Sequence, residues 1–476
     1  MFWNLHVART IAEQGLPAAV PQAAFTQLAV DHADRQWLFS LVLAAYGGRD
    51  LGLEHVPPLV LGFALAKLAV LLACARWLVG PRLLATPVLL AFGLSASALF
   101  RAAALRDMLL AILPLLVLLA RLARCDARPK RNDQAWLAGA ALVFTWSHGA
   151  PVLPLALAVV VGAGRRLDTG RCGFRTLLPI GAGVLLGLLA RPNPLGCLEL
   201  LWTLNVFLPW ASATGALPLH PTEFAAPPFD LLLAHSWPLL LAAGLSLATA
   251  WRRRADWRLV LPAVLLAIGT VFGARLVELA APCLTLAVLV QLAATRLGGT
   301  WRGELAAAAV AIGLLGLAHH HAQPSLDANR LVALADVGDD LRQRARPGDV
   351  VFVTDWGVSS PLTWFTRDVP LRFTGITDPV LMLRAAPDAF AAWWRIKSAA
   401  DPEAARTIRE RFGARFAVIG FADAAPGRPA GETAVQVWQT FGALAQRGVA
   451  VQSRDVPSPP RHATLEPGFR LYEFTD

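Results

Sequence analysis

Charge is scarce in this chain of 476 residues: only 16% are Asp, Glu, Lys or Arg, 56% are hydrophobic, and mean hydropathy is +0.51. Soluble globular proteins carry charge on about a quarter of their residues, so this composition excludes that class and indicates a polytopic membrane protein. Lysine is almost missing, standing only at Lys67, Lys130 and Lys397. The positive charge is therefore nearly all arginine, whose planar fork suits phosphate groups. A net charge of +10 does not point to nucleic acid, because the arginines sit in short clusters between apolar runs, where the positive-inside rule puts them. Cysteine is rare too. Cys74, Cys125, Cys172, Cys197 and Cys283 lack metal-ligand spacing, and with none beyond position 283 the C-terminal part can hold no disulfide. A P-loop, a Gly-rich dinucleotide fingerprint, a Ser-centred nucleophile elbow and a zinc motif are all absent, which argues against the chemistries they serve. No cleavable signal peptide is visible after Met1.

What the chain has in abundance is apolar runs. Those long enough to cross about 30 Å of hydrocarbon lie near 56–79, 83–100, 104–122, 173–190, 230–250, 257–273, 279–297 and 303–319. A further run, 135–163, is broken at Ser147-His148-Gly149-Ala150-Pro151 and reads as two short helices. The expected fold is an α-helical polytopic membrane protein of about nine to eleven transmembrane helices. The run Trp37 to Tyr46 is too short to span and reads as an interfacial helix or a half-span. Basic loops at 121–131, 165–175, 252–258 and 296–302 should be cytoplasmic. The count of crossings then places 1–55, the loop around 191–229 and everything after 320 on the outer face. An outer N-terminus with no preceding span is hard to make, so a further helix is expected ahead of Met1.

Three segments follow: an outer-face loop with amphipathic helices at 1–55, a multi-span domain at 56–319, and a soluble α/β domain at 322–476 on the periplasmic side. In the last, a helix is expected at 330–346, a strand at Asp349 to Thr354 after a Pro-Gly turn, and a helix at Ala404 to Phe412 closed by Gly413. Strands at Arg415 to Ile419 and Gly468 to Phe474 complete the pattern. Asp336 to Asp340 reads as a solvated helix face. His319-His320-His321 cannot all face one ion on a helix, and no metal site is assigned.

Polar groups at the outer rim of a membrane domain are costly and point to function. At helical spacing His6 and Arg9 share one face, beside Phe2 and Leu5, as in a helix lying in the membrane interface. Asp31, Asp34 and Arg35 are spaced as one face of a helix beginning near Asp31. Arg101, Arg106, Asp107, Arg191, Asn193, Glu223, Arg275 and Glu278 fall on the same outer side. Arg106-Asp107 also reads as an interfacial ion pair, and Arg275 with Glu278 as an i, i+3 salt bridge. Taken together, the arginines and carboxylates are what a pocket for an anionic, lipid-linked donor needs: Arg for a phosphate, a carboxylate to take a proton from an acceptor hydroxyl.

Phe2-Trp3-Asn4-Leu5-His6-Val7-Ala8-Arg9, Glu13 to Pro17 and Asp34 to Phe39 resemble the first outer loop of bacterial GT-C-type polytopic glycosyltransferases. Arg191-Pro192-Asn193-Pro194, Glu223-Phe224, Arg275 to Glu278 and Thr354-Asp355-Trp356 extend the resemblance over nearly the whole chain, toward an uncharacterised branch with a C-terminal outer domain. It implies an inner-membrane enzyme moving a sugar from a polyprenyl-phosphate donor to a glycan, lipid or protein acceptor. Asp31 or Asp34 would be catalytic, and His6, Arg9, Arg35, Arg106, Asp107, Glu223, Arg275 and Glu278 would bind substrate. Whether a divalent metal serves as cofactor stays open. The family's catalytic Asp precedes the aromatic-His segment and would lie upstream of Met1. Its absence keeps a second reading alive, a non-catalytic scaffold in envelope-polysaccharide assembly. A transporter is disfavoured, because the polar residues crowd the rim and not the midplane.

Overall fold

The structure, a computed structural model, describes residues 2–80, 94–102, 104–126, 128–214, 229–295, 300–327, 333–354, 356–375, 378–398, 400–401, 403–420, 452–456 and 469–474. Among these, three helices are long and apolar enough to cross a membrane alone: Leu53–Val79, Leu232–Arg253 and Trp301–His321. The helical part Val56–Val79 has 24 residues, about 36 Å at 1.5 Å per residue. Leu61, Leu65, Leu245 and Val310 on these helices are exposed, as a lipid-facing surface requires. The other apolar runs fold as helices of 13 to 17 residues: Met108–Arg124, Arg131–Ser147, Leu153–Thr169, Leu177–Leu189, Trp257–Phe272 and Val277–Ala293. The expected crossings thus divide into full-length helices and shorter ones packed on them around Ile112, Phe144, Ala263 and Leu284. Most of the expected run 83–100 lies outside the described residues.

The break in 135–163 is real: one helix ends at Ser147 and the next begins at Leu153. A second break has a legible cause. Asn193 takes the left-handed conformation at φ 50°, between Pro192 and Pro194, and the apolar pair 174–189 and 194–211 bends there by 114°. Arg165, at the start of a basic loop expected on the cytoplasmic side, is buried. It donates to the carbonyls of Leu122 at 2.8 Å and Cys125 at 2.6 Å, closing the C-terminal end of the helix Met108–Arg124.

Among the described residues the C-terminal part carries a sheet of six strands. The strands are β1 (Ala23–Ala24), β2 (Val350–Val353), β3 (Arg372–Thr374), β4 (Ala414–Gly420), β5 (Gln452–Val456) and β6 (Phe469–Glu473), in the order β1-β3-β2-β4-β6-β5. The first four in that order are parallel, with Val350 opposite Arg372 and Val351 opposite Phe416, and β6 runs antiparallel to both its neighbours, β4 and β5. Phe352, Phe373, Phe416, Trp393 and Tyr472 fill the core, and the Trp393 Nε1–H donates to the Val353 carbonyl at 2.7 Å. Ala404–Phe412 is helical as expected, and Gly413 closes it at φ 60° because a side chain is strained there. The helices Trp356–Phe365, Pro379–Ala385 and Pro387–Lys397 were not expected. Thr354 is buried at the end of β2, and Asp355 lies outside the described residues.

The edge strand β1 comes from the other end of the chain. Ala23 pairs with Phe373, and the Phe373 N–H donates to the Gln22 carbonyl at 2.8 Å. The first helix, Phe2–Gln14, buries Phe2 and Leu5 against protein and not lipid, with the Phe2 and Phe365 rings 5.5 Å apart. Phe39, Leu43, Phe63, Leu109 and Trp364 belong to the same cluster, which joins the first 55 residues to the membrane helices and to the C-terminal domain. The interfacial role expected of this helix is corrected: its apolar face is spent on docking the C-terminal domain.

Candidate active site

Two adjoining cavities open where the first 55 residues, the membrane helices and the sheet meet. The first, about 270 Å³, is walled by Trp3, Asn4, His32, Asp34, Arg35, Gln36, Arg106, Asp107, Arg275, Ser360 and Asp378 among others. The second, about 390 Å³, is mainly apolar, with Met108, Leu153, Phe272, Leu276 and Leu279 in its wall beside His148 and Asn205. Arg35, Asp107, Leu204, Arg275 and Asp378 line both, so a polar chamber runs directly into an apolar one. Ser360 follows β2 and Asp378 follows β3, so the polar chamber lies at the carboxyl ends of parallel strands, the usual place for a ligand in an α/β sheet.

The loop 31–36 forms one side. A helix was expected near Asp31; it begins instead at Trp37. Asp34 holds the loop in a turn ahead of it, since its carboxylate accepts from the Gln36 N–H at 2.9 Å and from the Ser40 hydroxyl at 2.6 Å. Asp31 points elsewhere, accepting from Asn193 Nδ2 at 2.6 Å, and is not in the cavity wall. Asn193 also donates to the His32 carbonyl at 3.2 Å and accepts from the Gly196 N–H at 3.0 Å, so the Arg191-Pro192-Asn193-Pro194 turn holds the loop. The buried Arg191 completes this support by donating to the His148 carbonyl at 3.3 Å. Gln36 Nε2 donates to Asn4 Oδ1, tying the loop to the first helix.

The expected ion pairs are rearranged. Asp107 meets His148 Nδ1 at 2.8 Å and not Arg106. Glu278 accepts from Arg101 and lies 3.9 Å from Arg106, so it is a buried charge partner outside the cavity wall. Arg9 donates to Glu13 at 2.6 Å and is also remote from the chamber. His6 is outside the wall too, its ring 5.9 Å from that of Trp3, which is in it. Glu223 lies outside the described residues. Of the residues expected at the site, Asp34, Arg35, Arg106, Asp107 and Arg275 are brought together, while Asp31, His6, Arg9 and Glu278 are not. Among the described residues no group of three His, Cys, Asp or Glu side chains is placed to hold a metal ion.

Sequence reasoning missed His32, His148, Ser360 and Asp378. His148 stood inside the break that was noticed, and His32 between two noted aspartates. Asp378-Pro379 is an N-cap followed by a first-turn proline, a readable helix start, and the Asp378 carboxylate accepts from the Val380 N–H at 3.0 Å.

Burial lowers His6 from 6.5 to about 4, with Glu13 pulling it up and Arg9 pushing it down. The folded value lies below the unfolded one, so the unfolded chain binds more protons between them. The contribution is complete above pH 6.5 and is lost as pH falls from 6.5 to 4. It amounts to at most about 3 kcal/mol, less where solvent screens the partly exposed ring. Thermal melting at pH 7 and pH 4.5 is expected to show a smaller acid shift for His6→Gln than for the wild type. Equal shifts would remove His6 from this role.

No protein-family model matches the chain, and no curated protein matches it. Among solved structures the chain is similar to ArnT from Cupriavidus metallidurans bound to undecaprenyl phosphate, at 15% identity and a TM-score of 0.58, over 98% of this chain and 92% of that one. Against the apo form of the same protein the values are 14% identity, 99% and 92% coverage and a TM-score of 0.45. At this identity the first likeness establishes a shared fold alone, a polytopic helical domain carrying a C-terminal α/β domain.

Proposed function

We propose that the chain is a membrane glycosyltransferase that takes a polyprenyl-phosphate-linked sugar as donor and transfers the sugar to a glycan, lipid or protein acceptor. The observation that carries this reading is the junction of the two chambers: Arg35 and Arg275 stand where the polar cavity passes into the apolar one. An isoprenoid chain fits the apolar side, its phosphate fits the arginines, and its sugar fits the polar side facing Ser360 and Asp378. The solved structure of the same fold was determined with undecaprenyl phosphate, which supports the choice of donor.

In this reading the bond between the sugar C1 and the phosphate oxygen breaks as the acceptor oxygen attacks C1. Charge collects on the departing phosphate, where Arg35, Arg106 and Arg275 stabilise it. The helix Met108–Arg124 begins at Asp107, so the positive end of its dipole points at the same place. The chain would lie in a bacterial inner membrane, with residues 322–476 and the docked segment 1–55 on the periplasmic side. A second reading, the non-catalytic scaffold, has one observation in its favour: both oxygens of Asp34 accept hydrogen bonds within the loop and the following helix, and Asp31 is outside the wall.

The purified full chain in nanodiscs, given undecaprenyl phosphoarabinose or undecaprenyl phosphoglucose with a membrane lipid extract, separates the readings. Sugar transfer supports the enzyme. Saturable binding of undecaprenyl phosphate with no turnover supports the scaffold, and no binding removes both.

A further inference from the structure

His32 lines the polar chamber, and the preceding reading gives its chemistry no use. Its side chain is 93% buried by relative exposure of 7%, it lines the polar chamber, and neither Nδ1 nor Nε2 has a hydrogen-bond partner among the described residues. Leaving both polar atoms of a buried ring unsatisfied is costly, so such an arrangement persists where a ligand completes it. Its neighbours in the loop are each occupied: Asp34 with Gln36 and Ser40, Asp31 with Asn193. The backbone is held rigidly, since the His32 N–H donates to the Ala18 carbonyl at 2.8 Å and its carbonyl accepts from Asn193.

Resting on the transferase reading, we propose that His32 is the catalytic residue that accepts the acceptor's proton, in place of the aspartates on either side of it. An acceptor O–H hydrogen-bonded to a ring nitrogen gives its proton to that nitrogen as the O–C1 bond forms. The C1–O bond to phosphate breaks, the phosphate leaves with the electron pair, and the imidazolium later returns its proton to solvent. Electrons and protons balance with no further reactant.

The charged surroundings suit this role. Asp31, Asp34 and Arg35 flank the ring on its own loop, and His6 faces it from the first helix. Across the chamber stand Arg106, Asp107, Arg275 and Asp378. Burial lowers the ring's protonation below its ordinary range while Asp34 and Asp31 pull the other way, so the ring is neutral near pH 7 and ready to accept a proton.

The test compares wild type, His32→Gln and His32→Phe as full chains in nanodiscs, with undecaprenyl phosphate for binding and the two undecaprenyl phosphosugars for transfer. Transfer by the variants is expected to fall 100- to 10,000-fold. Binding of undecaprenyl phosphate should stay within threefold of wild type, and the loss of rate at acid pH seen in the wild type should vanish from the residual activity. Equal rates, an acid limb that persists, or binding lost in step with rate overturns the proposal, the last making His32 a phosphate ligand. If His32→Gln melts early, His32→Phe, which keeps the ring volume, decides the same outcomes. Wild type that transfers neither sugar overturns the transferase reading and this one with it, whereas active wild type with unaffected variants overturns this one alone.

Discussion

Arg275→Ala should weaken binding of undecaprenyl phosphate roughly 10- to 100-fold, the loss expected when a charge-assisted hydrogen bond of about 1.5–3 kcal/mol is removed. The size of the effect comes from position, because Arg275 lines both the polar and the apolar chamber. A phosphate held there is partly out of water, where each interaction is stronger than at a surface. Arg275→Lys keeps the charge but not the fork, so an intermediate affinity is expected. Arg9→Ala serves as the control, since Arg9 pairs with Glu13 away from the cavities and belongs to the class of near-surface pairs that contribute little. Trp3 lies in the cavity wall, so tryptophan fluorescence offers the titration signal. An Arg275→Ala affinity within twofold of wild type would sink the assignment of this arginine to the donor phosphate.

The largest loss of stability should follow Glu278→Ala. Glu278 and Arg101 have side chains only 10% exposed, Arg106 lies 3.9 Å from the same carboxylate, and the buried Lys67 on the helix Val56–Val79 also feels its charge. Removing the carboxylate takes a buried negative charge away from these cations, which costs about 3–5 kcal/mol. A fall in melting temperature of about 3–5 °C is the expected reading for a chain of this length. Pairing it with Arg101→Met should recover much of the loss, because the uncompensated charge and not the missing contact dominates. A single variant melting within 2 °C of wild type would contradict this account. Glu278 was expected to touch substrate; its partners make it the group that holds Arg106 and Arg101 in place. The separation matters experimentally, since loss of activity in a Glu278 variant would report folding before chemistry.

Much of the architecture was legible from composition and periodicity. Apolar runs identified the membrane helices, the broken run at Ser147 to Pro151 became two helices, and Ala404–Phe412 with Gly413 and the following strand appeared where expected. These are local signals: apolar content, a proline, a glycine at positive φ. Less legible was the length of the shorter helices. Val277–Ala293 has 17 residues although the apolar run continues further, because Ala294 and Thr295 already turn out of the helix.

The candidate site was half legible. Arg35, Arg106, Asp107 and Arg275 were marked by charge at the rim of apolar runs, and they do meet in one wall. Helical spacing misled at Asp31 and Asp34, because a carboxylate at the start of a helix competes for backbone N–H groups and ends the periodicity on which the inference relied. Amphipathicity misled at Phe2 and Leu5, since a buried apolar face does not say whether lipid or protein covers it.

By itself the sequence determined the class of fold, the places where helices start and break, and the supply of arginine at the membrane rim, all of which depend on residues close together in the chain. Only the tertiary structure decided which charges neutralise one another and which face the cavity. Asp107 meets His148, Glu278 meets Arg101, Asp31 meets Asn193, and Ala23 pairs with Phe373 across some 350 residues. Coulomb and hydrogen-bond energies fall off over a few ångströms of space and are blind to separation along the chain. The ring of His32, buried between two occupied aspartates and without a hydrogen-bond partner among the described residues, is therefore visible only once the chain has folded.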